Sequence, residues 1–357
     1  MTSPRAARST YCARHLARAG DRSLTAPTRP PQAEEGTLPP VEAAPRHAYG
    51  RLAVRIAAGA AVLLLVVWYA HPGTLWMELQ RTNIMLFALA VLVSIASNVL
   101  SAMRWAVIAR GLALIAPTAR LILMYARAMT TNMLLPGATL SGDLLRSVQL
   151  SRLGNPFVPS ALSVFLDRFS GLWILCVLSL LSAAGVVAWG MLAQTPARIA
   201  PDRMALYLLV LGGIAVAPLM PLPFDRLQHS QATWIAALAA RWAQLRSRLQ
   251  QARPALVASV WQSLGVQLLS AAALWICAMA VGVSLSYPVM LAAAAPIFIM
   301  AALPIGVAGF GTRELAAVIV LGFAGVPSGQ ATAAALLYGI SAVVQGILAA
   351  PLFFSKP

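Results

Sequence analysis

Apolar residues in this chain occur in long blocks of roughly twenty residues, the length that a helix needs to cross a bilayer core of about 30 Å. Of the 357 residues, 60% are hydrophobic and only 10% are charged, whereas a soluble domain carries about 25% charged residues. Within a bilayer, a helix satisfies its backbone hydrogen bonds internally. The sequence therefore predicts an all-α polytopic membrane protein.

The chain divides into a polar tail and a membrane domain. Residues 1–50 are rich in Arg, Pro and Ala and contain no apolar run, so they cannot bury enough apolar surface to fold and are expected to be a disordered, basic cytoplasmic tail. The membrane domain is expected over residues 51–354. Six transmembrane helices are predicted, at 52–70, 84–103, 158–188, 204–221, 256–282 and 330–354.

Two further apolar stretches differ from these spans. Residues 118–140 lead into LLPGATLSGDLLR, and residues 289–325 contain LPIGVAGFGTRE. Proline and several glycines interrupt both stretches where a spanning helix would be continuous. We interpret each as a re-entrant helical hairpin, in which one half-helix enters the membrane and a second half-helix returns to the same side.

The distribution of basic residues supports this topology. With the N-terminus in the cytoplasm, most of the 26 Lys and Arg residues fall in cytoplasmic segments, among them 104–120, 141–157 and 222–254. Reading the first hairpin as a single span would move the arginines of 222–254 to the outside. We therefore expect both termini in the cytoplasm. The net charge of +16 does not indicate nucleic-acid binding, because the basic residues lie between apolar spans.

The predicted elements repeat. Residues 52–188 and 204–354 each contain two spans, a hairpin and a final span, and the two halves begin on opposite sides of the membrane. An inverted repeat with broken helices at its interface is a common transporter architecture, with the substrate site near the midplane.

Polar residues form a stripe on the second helix of each half. The spacing of Ser94, Ser97, Asn98 and Ser101 places them on one helix face, and a similar stripe occupies 259–270. Such stripes either hold helices together or form the wall of a hydrophilic groove, and the sequence leaves both readings open.

Ionisable residues at membrane depth are a sharper signal, because each costs about 2.5–3.5 kcal/mol at a helix centre on insertion scales. Asp143 and Arg146 are spaced to pair on one helix face. Asp167 and Arg168 are neighbours pointing about 100° apart, so each is expected to have its own partner. Arg313 and Glu314 are also neighbours and are expected to need separate partners, and Arg127 lies within the first half-helix. Each charge could form a structural salt bridge or serve a function.

The Pro and Gly loops beside these arginines suggest an anionic ligand. Arg146 and Arg313 each follow a loop whose exposed backbone N–H groups, together with a guanidinium group, can bind phosphate. A membrane lipid with an anionic headgroup fits such a site. The expected substrate-binding residues are Arg127, Pro136, Gly142, Asp143, Arg146, Asp167, Arg168, Gly309, Gly311, Arg313 and Glu314.

Enzyme signatures are poorly represented. The four histidines lie in the tail or in loops, without the spacing of metal ligands, and no phosphate-binding loop or nucleophile motif is present. We expect no enzyme activity, cofactor or metal. An intramembrane lipid-modifying enzyme with Asp143 or Asp167 as base is the weakest alternative. Residues 222–254 contain AALAARWAQLRSRLQQAR, which predicts a basic amphipathic helix on the membrane surface or against a partner.

Three stretches resemble the lysylphosphatidylglycerol synthase transmembrane-region family, a flippase-like family. They are NMLLPGATLSGDLLRSVQLSR, SALSVFLDRFSGLW and ALPIGVAGFGTRELAAVIVLGFAGV, in the family's order. The family's first motif usually has two glycines before the aspartate, and here only Gly142 precedes Asp143. The similarity extends over roughly residues 50–354.

The resemblance implies a lipid flippase-like domain in the bacterial inner membrane. Members that make aminoacylated phosphatidylglycerol carry a separate cytosolic synthase domain, which this sequence lacks, so aminoacylation is not implied. The leading hypothesis is a flippase for an anionic lipid of the phospholipid or polyprenyl type. The alternative is a membrane partner that recruits a lipid-synthesis enzyme through residues 222–254, without transport of its own.

Overall fold

The computed structural model describes residues 64, 65, 68, 72–134, 139–192, 201–217, 246–303 and 309–353. Every regular element in these residues is helical. The α-helices, in chain order, are α1 (Pro72–Gln80), α2 (Ile84–Gly111), α3 (Thr118–Leu134), α4 (Thr139–Ser151), α5 (Phe157–Leu192), α6 (Pro201–Val216), α7 (Arg253–Ala280), α8 (Tyr287–Ala302), α9 (Thr312–Phe323) and α10 (Ser328–Ala349), and a 3-10 turn (Ala350–Phe353) follows α10.

Four of the described helices, α2, α5, α7 and α10, are long and apolar enough to cross a membrane. The prediction of an all-helical membrane protein is confirmed at this level. Of the other two predicted spans, 204–221 corresponds to α6, which has 16 residues. Apart from three residues, the predicted span 52–70 lies outside the described residues, as do the tail and most of 222–254.

Local sequence sets where several helices begin. The Asn83 side chain accepts hydrogen bonds from the amides of Met85 (3.0 Å) and Leu86 (3.2 Å), which caps α2. Helices α7 and α8 carry proline in their first turn, where the missing N–H group has no intrahelical acceptor to lose.

Helices α2 and α7 pack antiparallel along their whole length. The Asn83 amide donates to the Ala280 carbonyl (2.9 Å) at one end, and the Ser97 hydroxyl donates to the Val266 carbonyl (3.1 Å) in the middle. At the other end, a β-carbon at Gly111 would stand 2.4 Å from a methyl group of α7. Each helix has 28 residues and is therefore about 42 Å long.

Helices α3 and α4 form the first hairpin. At its open end, the Asn155 side chain accepts from the Ile115 amide (2.8 Å) and donates to the Ile115 carbonyl (3.0 Å). Near its tip, the Gly142 amide donates to Asn132 Oδ1 (2.8 Å). The chain thus enters and leaves the hairpin at one end. The predicted end of the hairpin at residue 140 was wrong, because α4 continues to Ser151. The charged residues of α4 are paired inside the protein and do not mark a loop.

Helices α8 and α9 form the second hairpin, and the loop residues 304–308 lie outside the described residues. Gly309 and Gly311 precede α9 with φ angles of +79° and +91°, a region that glycine enters without steric cost. The start of α8 and the end of α9 line one small apolar cavity with Val289 and Phe323, so these two ends lie together.

Each hairpin packs against the final long helix of the other half. The Ser179 hydroxyl in α5 donates to the Leu291 carbonyl in α8 (2.8 Å). The Thr130 hydroxyl in α3 donates to the Gly346 carbonyl in α10 (3.1 Å). The α2–α7 pair packs against both α5 and α10. This packing brings α3, α4, α5, α7 and α8 around one side of α2, where the charged residues meet.

Candidate lipid headgroup site

Five charged side chains from three helices form one continuous chain of ion pairs. Arg104 in α2 contacts Asp167 in α5 (2.9 Å), and the other oxygen of Asp167 accepts from Arg146 in α4 (3.0 Å). Arg146 also contacts Asp143 Oδ1 (2.7 Å), and Arg168 contacts the same oxygen (2.9 Å). Three arginines and two aspartates give this ion chain a formal charge of +1.

Burial differs strongly along the ion chain. The side chains of Arg146 and Asp167 are each 1% exposed, whereas the Arg168 side chain is 39% exposed. A buried charge persists only where other charges and hydrogen bonds compensate for its lost hydration. The ion chain therefore has a closed interior and one accessible end, at Arg168.

The sequence predicted part of this arrangement correctly. Asp143 and Arg146 pair across one helical turn, as their spacing indicated. Asp167 and Arg168 diverge from α5 and take different partners. Arg146, however, is enclosed by protein and is not positioned as the ligand-facing cation.

Arg104 was missed, because the predicted span ended at residue 103 and Arg104 was assigned to a cytoplasmic segment. The predicted helix boundary was wrong: α2 continues to Gly111, and Arg104 is buried and paired with Asp167. The signal was present, because Arg104 continues the stripe of Ser94, Ser97 and Ser101 at helical spacing. The positive charge of Arg104, by contrast, suggested a loop residue.

Aromatic rings complete the surroundings of Arg146. Its guanidinium carbon lies 5.0 Å from the ring centroids of both Trp105 and Tyr125, a range in which a cation is attracted to the ring face. The Trp105 indole N–H donates to the Ser163 hydroxyl (3.1 Å), which fixes the indole ring. Arg146 is therefore fixed by two carboxylates and two rings.

The accessible end of the ion chain opens into a cavity of about 680 Å³. Its polar lining comes mainly from α2, α4, α5 and α7: Ser97, Asn98, Ser101, Arg104, Asp143, Ser147, Arg168, Gln267 and Ser270. A smaller cavity of about 200 Å³ shares Arg168 and Tyr125 with it and is lined by Asn132 and Gly309 near the tips of the two hairpins. The site therefore lies between the hairpins.

Apolar side chains form one edge of the larger cavity. Leu144 in α4 and Phe165 and Leu172 in α5 line it, and the three are 59%, 61% and 38% exposed on the protein surface. The cavity is thus continuous with an apolar surface between α4 and α5.

The polar stripes combine the two roles that the sequence left open. The Ser97 and Ser270 hydroxyls are 2.8 Å apart and join α2 to α7, and Asn98 donates to Gln345 in α10 (2.7 Å). Gln267 donates to the Gly171 carbonyl in α5 (3.0 Å). Ser97, Asn98, Gln267 and Ser270 also line the cavity, so the stripes hold helices together and form a wall.

Arg313 and Glu314 form a separate pair. The expectation that they need different partners was wrong, because Arg313 contacts Glu314 itself (2.8 Å). At the start of α9, Glu314 folds back to accept from the Gly311 amide (2.6 Å), which brings its carboxylate within reach of the long Arg313 side chain. Both residues are buried, Arg313 lies over the ring of Phe310 (4.9 Å), and neither lines the two cavities described above.

The remaining predicted site residues are spread across the hairpins. Arg127 donates to the Leu352 carbonyl (3.1 Å), away from the cavities. Gly142 allows α3 and α4 to approach, because a β-carbon there would stand 2.5 Å from the Ala128 carbonyl oxygen. Gly309 lines the smaller cavity, and Pro136 lies outside the described residues.

Comparison with known proteins identifies the family. The model of the lysylphosphatidylglycerol synthase TM region matches residues 53–350. The chain belongs to this family. It is a multi-pass membrane protein of a family related to lipid handling. No curated protein matches the chain.

The stretches that carry the family resemblance divide between two places in the structure. The first contributes Asp143 and Arg146 and the second contributes Asp167 and Arg168, so both meet in the ion chain. The third contributes the pair Arg313–Glu314 at the start of α9, within the second hairpin. In this family member the two hairpins are therefore built differently: among the described hairpin residues, the charged side chain that lines the cavity, Asp143, comes from the first hairpin.

Proposed function

We propose that this protein moves an anionic lipid between the leaflets of the bacterial inner membrane, as a flippase or scramblase. The observation that carries the proposal is the cavity with the partly exposed Arg168 in its wall, at the end of an ion chain of net charge +1. A guanidinium group of this kind recognises phosphate through charge-assisted hydrogen bonds.

The charge arrangement supports binding rather than catalysis. All four carboxylate oxygens of Asp143 and Asp167 accept hydrogen bonds from arginines, so neither aspartate is poised as a base. Arg168 donates to both oxygens of Asp143, and a lipid phosphate can compete for this arginine while Arg146 keeps Asp143 paired. We assign no enzymatic step to the chain.

The apolar edge of the cavity supports a lipid as the ligand. A headgroup placed beside Arg168 leaves its acyl chains next to Leu144, Phe165 and Leu172, which line the cavity and are exposed on the protein surface. The acyl chains then remain in the bilayer while the headgroup crosses through the protein, which avoids moving the tails through a polar site.

The helix arrangement supports re-entrant hairpins and an inverted repeat. The open end of the first hairpin lies at the Gly111 end of α2. The residues around Ala280, which precede the second hairpin, lie at the opposite end of α2, about 42 Å away. The distance between these two ends exceeds the thickness of a hydrocarbon core, about 30 Å. Packing of each hairpin on the final helix of the other half also fits two related halves of opposite orientation. The basic residues between the apolar spans support placing both termini in the cytoplasm.

A lipid transfer assay tests the proposal. We expect the purified full chain in liposomes to speed the movement of fluorescent phosphatidylglycerol from the inner to the outer leaflet, measured by chemical quenching of the outer leaflet. Arg168→Gln should remove most of the acceleration. Arg110→Gln, which neutralises an exposed arginine at the end of α2, should retain it.

An unaccelerated rate for every anionic lipid tested would reject transport. In that case, loss of function on deleting residues 222–245 from the cell's copy, with no effect of Arg168→Gln, would favour the alternative of a partner for a lipid-synthesis enzyme. Residues 246–251 of the same segment are helical with exposed arginines at 246 and 248, which suits a surface for such a partner or for lipid headgroups.

A further inference from the structure

Helix α8 is interrupted in its middle, and its inner part forms a section of the cavity wall. We propose, on the basis of the proposed function, that residues 297–302 of α8 act as a gate of the cavity. The gate moves about the interruption at residues 291–296 while a headgroup passes, and Ser179 and Tyr207 are the positioning residues that hold this interruption in place.

Proline removes one helical hydrogen bond from α8. Pro296 lies inside the helix and has no N–H group, so the carbonyl of Ala292, one turn earlier, has no amide donor within the helix. The Tyr207 hydroxyl in α6 donates to this carbonyl. A carbonyl at membrane depth needs such a donor, because lipid supplies none. A side chain of another helix thus replaces the bond that proline removes.

The neighbouring position of the same helix also depends on a side chain from outside. The Ser179 hydroxyl in α5 accepts from the Ala295 amide (3.1 Å) and donates to the Leu291 carbonyl (2.8 Å). These two backbone groups are an i, i+4 pair of α8, so one hydroxyl binds both members of the pair. Prolines and inserted side-chain groups are known causes of helix kinks. Two successive hydrogen bonds of α8 are therefore weakened together.

One side of the interruption is loosely packed. Tyr207, Ala292 and Ala293 line an apolar cavity of about 100 Å³ between α5, α6, α8 and α9. Closely packed helices resist bending because side chains on every side must move with them. At this cavity α8 can change its bend with little displacement of its neighbours.

The outer part of α8 is anchored to two long helices. The Ser182 hydroxyl in α5 donates to the Pro288 carbonyl (2.7 Å), and the Tyr287 hydroxyl donates to the Leu268 carbonyl in α7 (2.9 Å). Both contacts lie before the interruption. A bend at residues 291–296 therefore moves the inner part of α8 and leaves the outer part in place.

The inner part of α8 borders both cavities. Phe298, Ala301 and Ala302 line the larger cavity, and Ala301 also lines the smaller one near the hairpin tips. The Phe298 ring stacks on Tyr338 in α10, with the ring centroids 5.3 Å apart. Movement of residues 297–302 therefore changes the width of the space through which a headgroup passes between the hairpins.

Two substitutions that restore the helical hydrogen bonds test the gate. Pro296→Ala supplies the missing amide, and Ser179→Ala lets Ala295 and Leu291 bond directly. In liposomes, we expect either variant of the full chain to transfer phosphatidylglycerol roughly threefold to tenfold more slowly, the effect of one added hydrogen bond that must break in each cycle. Pro288→Ala is the matched control and should transfer at the normal rate, because proline in the first turn costs the helix no hydrogen bond.

Binding and thermal stability distinguish a gate from a structural role. Both variants should bind phosphatidylglycerol within about twofold of the unmodified protein, measured calorimetrically in a neutral detergent, and their thermal midpoints should not fall. If Pro296→Ala is not recovered folded, Ser179→Ala decides alone. Slow transfer with a matching loss of binding and of thermal stability would show a structural role and overturn the gate.

Tyr207→Phe tests the replacement of the missing amide. It leaves the Ala292 carbonyl without a donor and should lower the thermal midpoint by about 2–6 °C. Pro296→Ala in the same chain supplies an amide for that carbonyl and should restore most of this loss, while transfer stays slow. No restoration in the double variant would reject the role of Tyr207.

Failure of the gate differs from failure of transport. Normal transfer by folded Pro296→Ala and Ser179→Ala would reject the gate and leave the proposed function standing. Absence of transfer by the unmodified protein for every anionic lipid would reject the proposed function, and the gate with it.

Discussion

Arg146 and Arg168 are close in the ion chain but are held in different ways. Arg146 touches two carboxylates and two aromatic rings and has almost no exposed surface. Arg168 touches one carboxylate, lines the cavity, and has more than a third of its side chain exposed. We therefore infer that Arg146 stabilises the fold and that Arg168 contacts the lipid.

Replacing each arginine by methionine separates these roles. Arg146→Met removes a cation shared by two buried carboxylates and should lower the free energy of unfolding by about 3–5 kcal/mol. Arg168→Met should lower it by no more than about 1 kcal/mol, because the pair is partly solvated. Unfolding in detergent measures the first effect, and lipid transfer at matched protein amounts measures the loss expected for Arg168→Met.

Equal destabilisation by the two variants, or normal lipid transfer by Arg168→Met, would contradict this division. Arg168→Lys separates the charge of Arg168 from its hydrogen-bond geometry. It keeps the charge but loses the two-pronged contact with Asp143, so we expect transfer between that of the unmodified protein and that of Arg168→Met.

At the scale of elements, the first hairpin depends on close approach of its two helices. A β-carbon at Gly142 in α4 would stand 2.5 Å from both the Ala128 carbonyl oxygen and Asn132 Oδ1 in α3. A backbone oxygen cannot move without shifting its helix. The Gly142 amide also donates to Asn132. Close packing and this hydrogen bond therefore join α3 to α4 near the tip of the hairpin.

Gly142→Ala should therefore lower the free energy of unfolding by about 1–3 kcal/mol through forced separation of α3 and α4. Gly185→Ala is the matched control, because a β-carbon at this exposed position in α5 would meet nothing within 4 Å. It should be neutral or stabilising by up to about 1 kcal/mol. Thermal unfolding of both variants in the same detergent measures the difference, and a neutral Gly142→Ala would contradict the close approach.

Between elements, the fold of this region was partly predictable. Proline and glycine after Leu134 predicted the break in the first hairpin, because they end helices through local geometry. The end of α4 at Ser151 was not predicted, because the basic residues of 141–157 led us to count that stretch among the cytoplasmic segments.

At the scale of the whole molecule, the antiparallel pair of α2 and α7 defines two opposite ends of the described helical bundle. They run antiparallel for 28 residues each, with Ile115 and Arg152 beyond one end and Ser284 and Ser328 beyond the other. The hairpins are expected to return to opposite sides of the membrane, which is the arrangement that an inverted repeat requires.

Cysteine labelling tests this arrangement. In a variant without the three native cysteines, Ile115→Cys and Arg152→Cys should both react with a membrane-impermeant reagent only from the cytoplasmic side. Ser284→Cys and Ser328→Cys should react only from the opposite side. Labelling of positions 115 and 152 from different sides would show that the first hairpin crosses the membrane and would reject the re-entrant topology.

The sequence by itself determined the class of this protein, its long helices, the two broken hairpins and the i,i+3 pair of Asp143 and Arg146. These features depend on local properties: the number of consecutive apolar residues, the backbone geometry of proline and glycine, and the spacing of one helical turn. Each of these properties can be read from one continuous stretch of about thirty residues or fewer.

Only the tertiary structure decided which charges meet. Arg104 reaches Asp167 across 63 residues of sequence because α2 packs beside α5, and Arg313 pairs with its neighbour Glu314 because Gly311 turns the chain and lets the carboxylate fold back. The tertiary structure also leaves Arg168 as the partly exposed cation at the cavity. Such pairings depend on how several helices fit together, and the helix contacts are set by side chains far apart in the sequence.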